Sequence, residues 1–243
     1  MDLTTLPVVG QLLHGGADLL TATTAALSPV AGDLAAALAV VLLTTAVRFA
    51  LVPLAVLQVR AERDRRRLAP RIATVREGHA ADPERLRRAL QELYTSEHVS
   101  PLAGCLPVLA QAPVLSLVYA LFSHAAIGGV PNALLEATLV GVPLGHSLLA
   151  TVTSPLWVHA WVVLVLLAVL AALVEATRRA NARWNPAPTS DPGVPAAAES
   201  IGRVAPFVTV VFAAIAPLAA ALYVTTSAAW TLGERAVLRR VLR

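Results

Sequence analysis

The chain contains no lysine, one cysteine (Cys105) and one methionine (Met1), and aromatic residues make up only 5% of it. A lone cysteine cannot close an internal disulfide or build a cysteine-based zinc cluster, so Cys105 reads as a small buried residue of a membrane helix. Charge is scarce too: 14% of residues are charged against 57% hydrophobic, and the apolar ones come in long blocks. That balance excludes an ordinary soluble domain and fits a multi-pass membrane protein. HExxH, GxSxG and paired intramembrane aspartates are also missing, so His124, His146, Ser147 and His159 read as interfacial residues. No catalytic residue, cofactor or metal ligand is expected, and the protein is not expected to be an enzyme. The N-terminal stretch lacks a basic n-region and a cleavage pattern, so it is expected to be retained.

What is present is arginine, in a pattern. Apart from Arg48 it falls in three groups: Arg60 to Arg88, Arg178 to Arg203, and Arg235 to Arg243. Each group flanks an apolar block, as loops on the cytoplasmic side do, so the net charge of +4 reports orientation and not nucleic-acid specificity. The predicted fold class is an all-α polytopic membrane protein with five transmembrane helices, N-terminus out and C-terminus in.

The predicted order begins with an outer interfacial segment over 1–32, too polar to span, and a first span over 33–58. A charged stretch over 59–100 carries Leu68, Ile72 and Val75, then Leu86, Leu90 and Leu93, at helical spacing. Asp82 stands as cap and Pro83 at the first helical position, so this stretch reads as a cytoplasmic helical hairpin whose first arm Pro70 kinks or restarts. A second span covers 101–124. The apolar stretch 125–155 is read as an outer loop, because a further span there would carry Arg178, Arg179 and Arg183 outside. A third span over 156–178 is anchored by Trp157, Trp161 and Trp184, with Glu175 pairing with Arg178 and Arg179 at its end. An inner loop over 179–201 follows. Spans over 202–216 and 217–234 form a tight hairpin turning near Ala216 and Pro217, and a short basic cytoplasmic tail occupies 235–243.

Arg48 is the leading functional residue. Near the middle of an apolar run, a charge costs about 2.5–3.5 kcal/mol on the insertion scale, so it is expected to face protein or trapped water. Thr44 and Thr45, one turn earlier, extend a polar stripe. Gln111, in the second span, needs a partner or water, and either bridges helices or lines a cavity.

The stretches Leu90-Gln-Glu-Leu-Tyr94, Ser100-Pro-Leu-Ala-Gly-Cys-Leu-Pro107 and Gln111-Ala-Pro113 resemble the junction between cytoplasmic hairpin and following span in the YidC/Oxa1/Alb3 family of membrane protein insertases. Thr44, Arg48, Phe49 and Leu51-Val-Pro-Leu54 are similar to that family's arginine-bearing helix, and Pro206, Pro217, Leu218 and Leu222-Tyr223 to its closing hairpin. The resemblance covers roughly 33–124 and 201–240. It implies helices around a hydrophilic groove, open to the cytosol and to lipid and closed outside, with Arg48 at its centre, Thr44, Gln111 and Tyr223 as neighbours and Leu115 contacting substrate.

The implied activity is a membrane protein insertase and chaperone that moves the hydrophilic flank of client proteins through the groove and releases their helices into lipid. The implied partners are nascent membrane proteins and the lipid bilayer, with the Sec translocon and the ribosome as further candidates. Val224 replaces the aromatic residue usual after the final-helix tyrosine, and the tail ends at Arg243 without the long basic extension some members use near ribosomes. Two alternatives stay open: a small-solute transporter, and a paralogue that acts only as an assembly chaperone.

Overall fold

A computed structural model describes residues 7–79, 82–97, 106–124, 126–127, 130–184 and 204–242. These residues are mostly helical. Two helical runs are long and apolar enough to cross a membrane, His14–Ala50 and Pro155–Trp184, of 37 and 30 residues with mean hydropathy 2.1 and 2.6; Ala205–Ile215 is apolar but shorter. At 1.5 Å per residue, 30 residues reach about 45 Å, more than the roughly 30 Å hydrocarbon layer. The chain is a helical membrane protein. It divides into two compact units, Met1–Phe49 with Ala112–Leu232, and Ala50–Gln111 with Gly233–Arg243.

The first unit holds α1 (Pro7–Ala31), α2 (Ala35–Ala50) and most of α5 (Leu106–Ser123), followed by α6 (Leu148–Val152), α7 (Ala160–Trp184), α8 (Val208–Ile215) and the larger part of α9 (Leu218–Val241). Its core mixes small and branched residues: Ala36, Ala39 and Val40 of α2, Leu121 and Phe122 of α5, Val163 and Leu170 of α7, and Leu218, Ala219 and Ala221 of α9. Lipid tails are as apolar as leucine, so burial alone does not hold membrane helices together. Small residues let helix backbones approach, and dispersion then does the binding. The α8–α9 turn falls at Ala216 and Pro217, as predicted; Ala216 is extended (ψ 162°), and Pro217 cannot continue α8.

Between α5 and α7 the chain is not purely helical. Two short antiparallel ribbons form, β1 (Ala126–Ile127) with β2 (Val130–Pro131) and β3 (Thr138–Leu139) with β4 (Val142–Pro143). Asn132 closes the end of α5: Nδ2 donates to the carbonyls of Leu121 (2.5 Å) and His124 (3.0 Å), and Oδ1 accepts from Leu134 N (3.2 Å). The segment then runs beneath the start of α9, where Leu218 N donates to His146 O (2.8 Å) and Ala219 N to Leu144 O (3.0 Å). Two amides that a helix start leaves orphaned are thereby satisfied by a distant loop. Val142 and Leu144 are fully buried. Gly145 is required there, since a Cβ would lie 2.8 Å from Leu135 Cδ2 and 3.3 Å from Phe122 O. At the β3–β4 tip, Val140 and Gly141 both take positive φ (50° and 82°), the geometry of a two-residue type I′ hairpin, which a branched side chain tolerates poorly.

The second unit contains α3 (Val52–Gly78) and α4 (Pro83–Ser96), packed against each other. Asp82 caps α4 by accepting from Glu84 N and Arg85 N, with Pro83 at the first position, as the spacing predicts. The span expected to continue to 58 breaks at Leu51 between α2 and α3, because Pro53 has no N–H to donate and its ring clashes with the carbonyl four residues back. Pro70, by contrast, does not restart its arm, since α3 runs through it, and of the two alternatives only a kink is left; its exposure lets water serve the carbonyl it leaves bare. The tail is helical, as α9 continues to Val241, and it groups with the second unit, where Arg239, 6% exposed, donates to Glu62 Oε1 and Oε2 at 2.9 and 3.2 Å. Glu97 clasps the hairpin by accepting from Arg67 (3.1 Å) and Arg71. Exposed pairs of this kind contribute about 0–1 kcal/mol.

Candidate functional site

Helix α2 starts against the sealed end of the first unit, where the turn Gly32–Leu34 lies on β3, and its first residues Ala35, Ala36 and Ala37 are buried. Arg48 follows Ala35 by 13 residues, about 20 Å along the axis. Helix α9 starts at the same sealed end, and Trp230 follows Leu218 by 12 residues, about 18 Å. The two helices thus bring Arg48 and Trp230 to similar depth. Phe49 and Trp230 meet there edge to face, with ring centroids 6.5 Å apart and planes at 76°.

Thr44 and Arg48, one turn apart, share a face of α2. Thr44 is 3% exposed and its hydroxyl donates to Val40 O at 2.6 Å, so its hydrogen bond is spent within the helix. Arg48 is half-buried and its Nε is shielded from solvent. Across from it, buried Tyr223 lies beside Ser227 and within electrostatic range of Arg48. Tyr223, Ser227 and Trp230 recur at i, i+4 and i+7 and so line one face of α9. The threonines of α9 behave differently. Thr225, Thr226 and Thr231 donate to Ala221, Leu222 and Ser227 carbonyls at 2.8, 2.9 and 2.8 Å, which turns their hydroxyls inward on their own helix.

What remains around Arg48 is a set of donors: a guanidinium that keeps its charge at any physiological pH, a phenol, a serine hydroxyl and an indole N–H. Such donors suit capture of carboxylates and carbonyls. Ser147, far along the chain, uses its hydroxyl to cap α6 by accepting from Ala150 N at 3.2 Å.

Of the residues named from sequence, Arg48 and Tyr223 lie within electrostatic range of each other, and Thr44 lies one turn before Arg48 on α2. Leu115 is half-buried on α5 and packs against the apolar core of the first unit. Gln111 lies in α5, but its side chain is outside the described residues. Ser227 and Trp230 went unnamed in the sequence reading, although their spacing from Tyr223 was a visible signal. Glu175 pairs as expected, accepting from Arg178 Nε at 2.7 Å and from Arg179 Nε at 2.6 Å. Trp157 and Trp161 are 64% and 54% exposed, as residues facing lipid or headgroups would be.

Residues 27–243 match the family described as 60Kd inner membrane protein. The chain is also similar to the membrane protein insertase YidC of Polynucleobacter asymbioticus, 34% identical over 93 residues, and of Paraburkholderia phymatum, 37% identical over 94; each match covers 38% of this chain and 17% of the relative. A third, from Methylobacillus flagellatus, is 36% identical over 81 residues, 33% of this chain and 15% of the relative. The matched part is thus a small share of each relative's length.

Proposed function

Because the chain belongs to the 60Kd inner membrane protein family, which the YidC/Oxa1/Alb3 insertases make up, we propose that it is a bacterial membrane protein insertase whose working element is a hydrophilic groove centred on Arg48. The observation that carries this reading is the placement of a half-buried arginine beside buried Tyr223 and buried Ser227, in helices whose buried positions are otherwise mostly apolar. An intramembrane charge is costly and persists where it faces protein or a wet cavity, which makes it a functional position. The proposed arrangement has five spans, the N-terminus outside, the charged hairpin and C-terminus in the cytosol, and the segment 130–147 closing the outer end.

No covalent step is involved. An incoming hydrophilic flank crosses hydrocarbon poorly, since each unpaired polar group costs several kcal/mol there. A groove that reaches Arg48 from the cytosol shortens that crossing. Arg48 captures acidic residues of the flank, Tyr223 and Ser227 offer further hydrogen bonds, and burial of the client's apolar helix in lipid supplies the net drive. Thr44 shapes the wall, and Leu115 and Gln111 are proposed to line the path taken by the client. Nascent membrane proteins and the bilayer are the proposed partners, with the Sec translocon and the ribosome as further ones at the hairpin.

Arg48→Ala tests this. In proteoliposomes it is expected to reduce insertion of a single-span client with an acidic translocated flank about tenfold or more, the worth of one charge-assisted hydrogen bond at about 1.5–3 kcal/mol. A client with a neutral flank is expected to insert nearly as well as with the unaltered chain. Equal loss for both clients would overturn electrostatic capture.

A further inference from the structure

The Trp230 indole nitrogen is cut off from solvent and has no hydrogen-bond acceptor among the described residues. Buried indole N–H groups are normally paired, because a buried donor left bare loses its hydrogen bond to water and gains nothing in return. An unpaired one at an apolar core position would be a plain defect. Trp230 is not at such a position: it shares the α9 face of Tyr223 and Ser227 and lies against Phe49, the residue that follows Arg48 on α2. Phe49 is 71% exposed, so the ring that meets the indole is supported on one side only and can be pushed away without disturbing the core.

We infer that Trp230 is a second client-binding residue of the Arg48 site, whose indole N–H donates to a backbone carbonyl of the translocating flank once that flank displaces the Phe49 ring. The inference rests on the insertase reading and adds a kind of recognition which that reading lacks. Arg48 discriminates by charge, whereas every residue of an extended polypeptide presents a carbonyl, so an uncharged donor beside the guanidinium grips any flank. Tyr223, Ser227 and Trp230, aligned along α9, then form a ladder of donors that an extended segment can follow while Arg48 selects for acidity.

The test uses the full chain in vesicles of phosphatidylethanolamine and phosphatidylglycerol, with two single-span clients that differ only in having an acidic or a neutral translocated flank. Trp230→Phe keeps an aromatic ring and removes the N–H. It is expected to slow insertion of both clients by about threefold to tenfold, the range of one ordinary hydrogen bond, whereas Arg48→Ala affects chiefly the acidic one. An unaltered chain that inserts neither client removes the insertase reading and this inference with it. Normal insertion by the unaltered chain together with undiminished insertion by Trp230→Phe removes this inference alone.

A second measurement avoids altering Trp230 at all. In a chain carrying Trp157→Phe, Trp161→Phe and Trp184→Phe, the remaining indole is expected to shift its fluorescence to longer wavelength when a client peptide binds, as its N–H acquires an acceptor. Emission that stays unchanged at saturating peptide overturns the proposal, even if the Trp230→Phe chain proves unstable.

Discussion

Helix α9 presents two contrasting stretches within a few turns. From Leu218 to Ala221 every side chain is apolar and at most 1% exposed, and the free amides of the first turn are taken by Leu144 and His146 carbonyls. From Tyr223 to Trp230 one face carries a phenol, a hydroxyl and an indole N–H beside Arg48. At the first stretch the Leu218, Ala219 and Ala221 amides are already bonded. At the second, donors are gathered and held. The difference teaches that a packed end and the proposed capture site need no separate domains: a change of residue type along one helix, with a loop folded under its start, is enough.

The largest expected effect comes from breaking the closed end. Asn132→Leu would strip one buried and one part-buried carbonyl at the end of α5 of their donors and is expected to destabilise the protein by about 3 kcal/mol, at 1–3 kcal/mol for each bare group. Thermal unfolding in detergent micelles would report it, and an unfolding temperature unchanged from the native chain would show that the segment does not hold α5. A smaller effect, of opposite sign, is expected at the hairpin tip. Val140→Asn places a residue that tolerates positive φ where valine is strained, and should stabilise by about 1 kcal/mol. Loss of stability there would mean that the valine side chain, half-exposed as it is, contributes packing that outweighs the strain.

The smallest effect is expected at the polar end and sharpens the contrast with Arg48. The Thr44 hydroxyl is already bonded to Val40 O, so Thr44→Val should change stability by less than about 1 kcal/mol, the worth of one intrahelical hydrogen bond. Client insertion should stay within about twofold of the unaltered rate, which corresponds to under half a kcal/mol. A large insertion defect from so mild a change would place Thr44 in direct contact with the client and not in the wall of the site.

These two ends were unequally legible in the sequence. Arg48 announced itself, because a charge in an apolar run is costly wherever the helix packs. The cap at Asp82 and the turn at Ala216 and Pro217 were legible for the same reason: each is dictated by the backbone chemistry of residues within one helical turn. Trp230 was not found, although its spacing from Tyr223 was in view, because an indole in an apolar helix reads as packing until its nitrogen is known to lack an acceptor. The break at Leu51 was also in view through Pro53. Pro53 and Pro70 look alike in sequence, yet the helix ends near one and runs through the other.

Sequence alone determined that this is an arginine-bearing helical membrane protein, where its charged hairpin lies and which family it resembles, because apolar run length, charge placement and local capping are properties of neighbouring residues. Only the tertiary structure decided that Leu144 and His146 seal the start of α9, that Arg239 reaches Glu62 across 177 positions of chain, and that Phe49 covers Trp230. Each of those depends on which surfaces meet after the helices pack. No periodicity or composition records that, because residues far apart in the chain carry no local signal of one another.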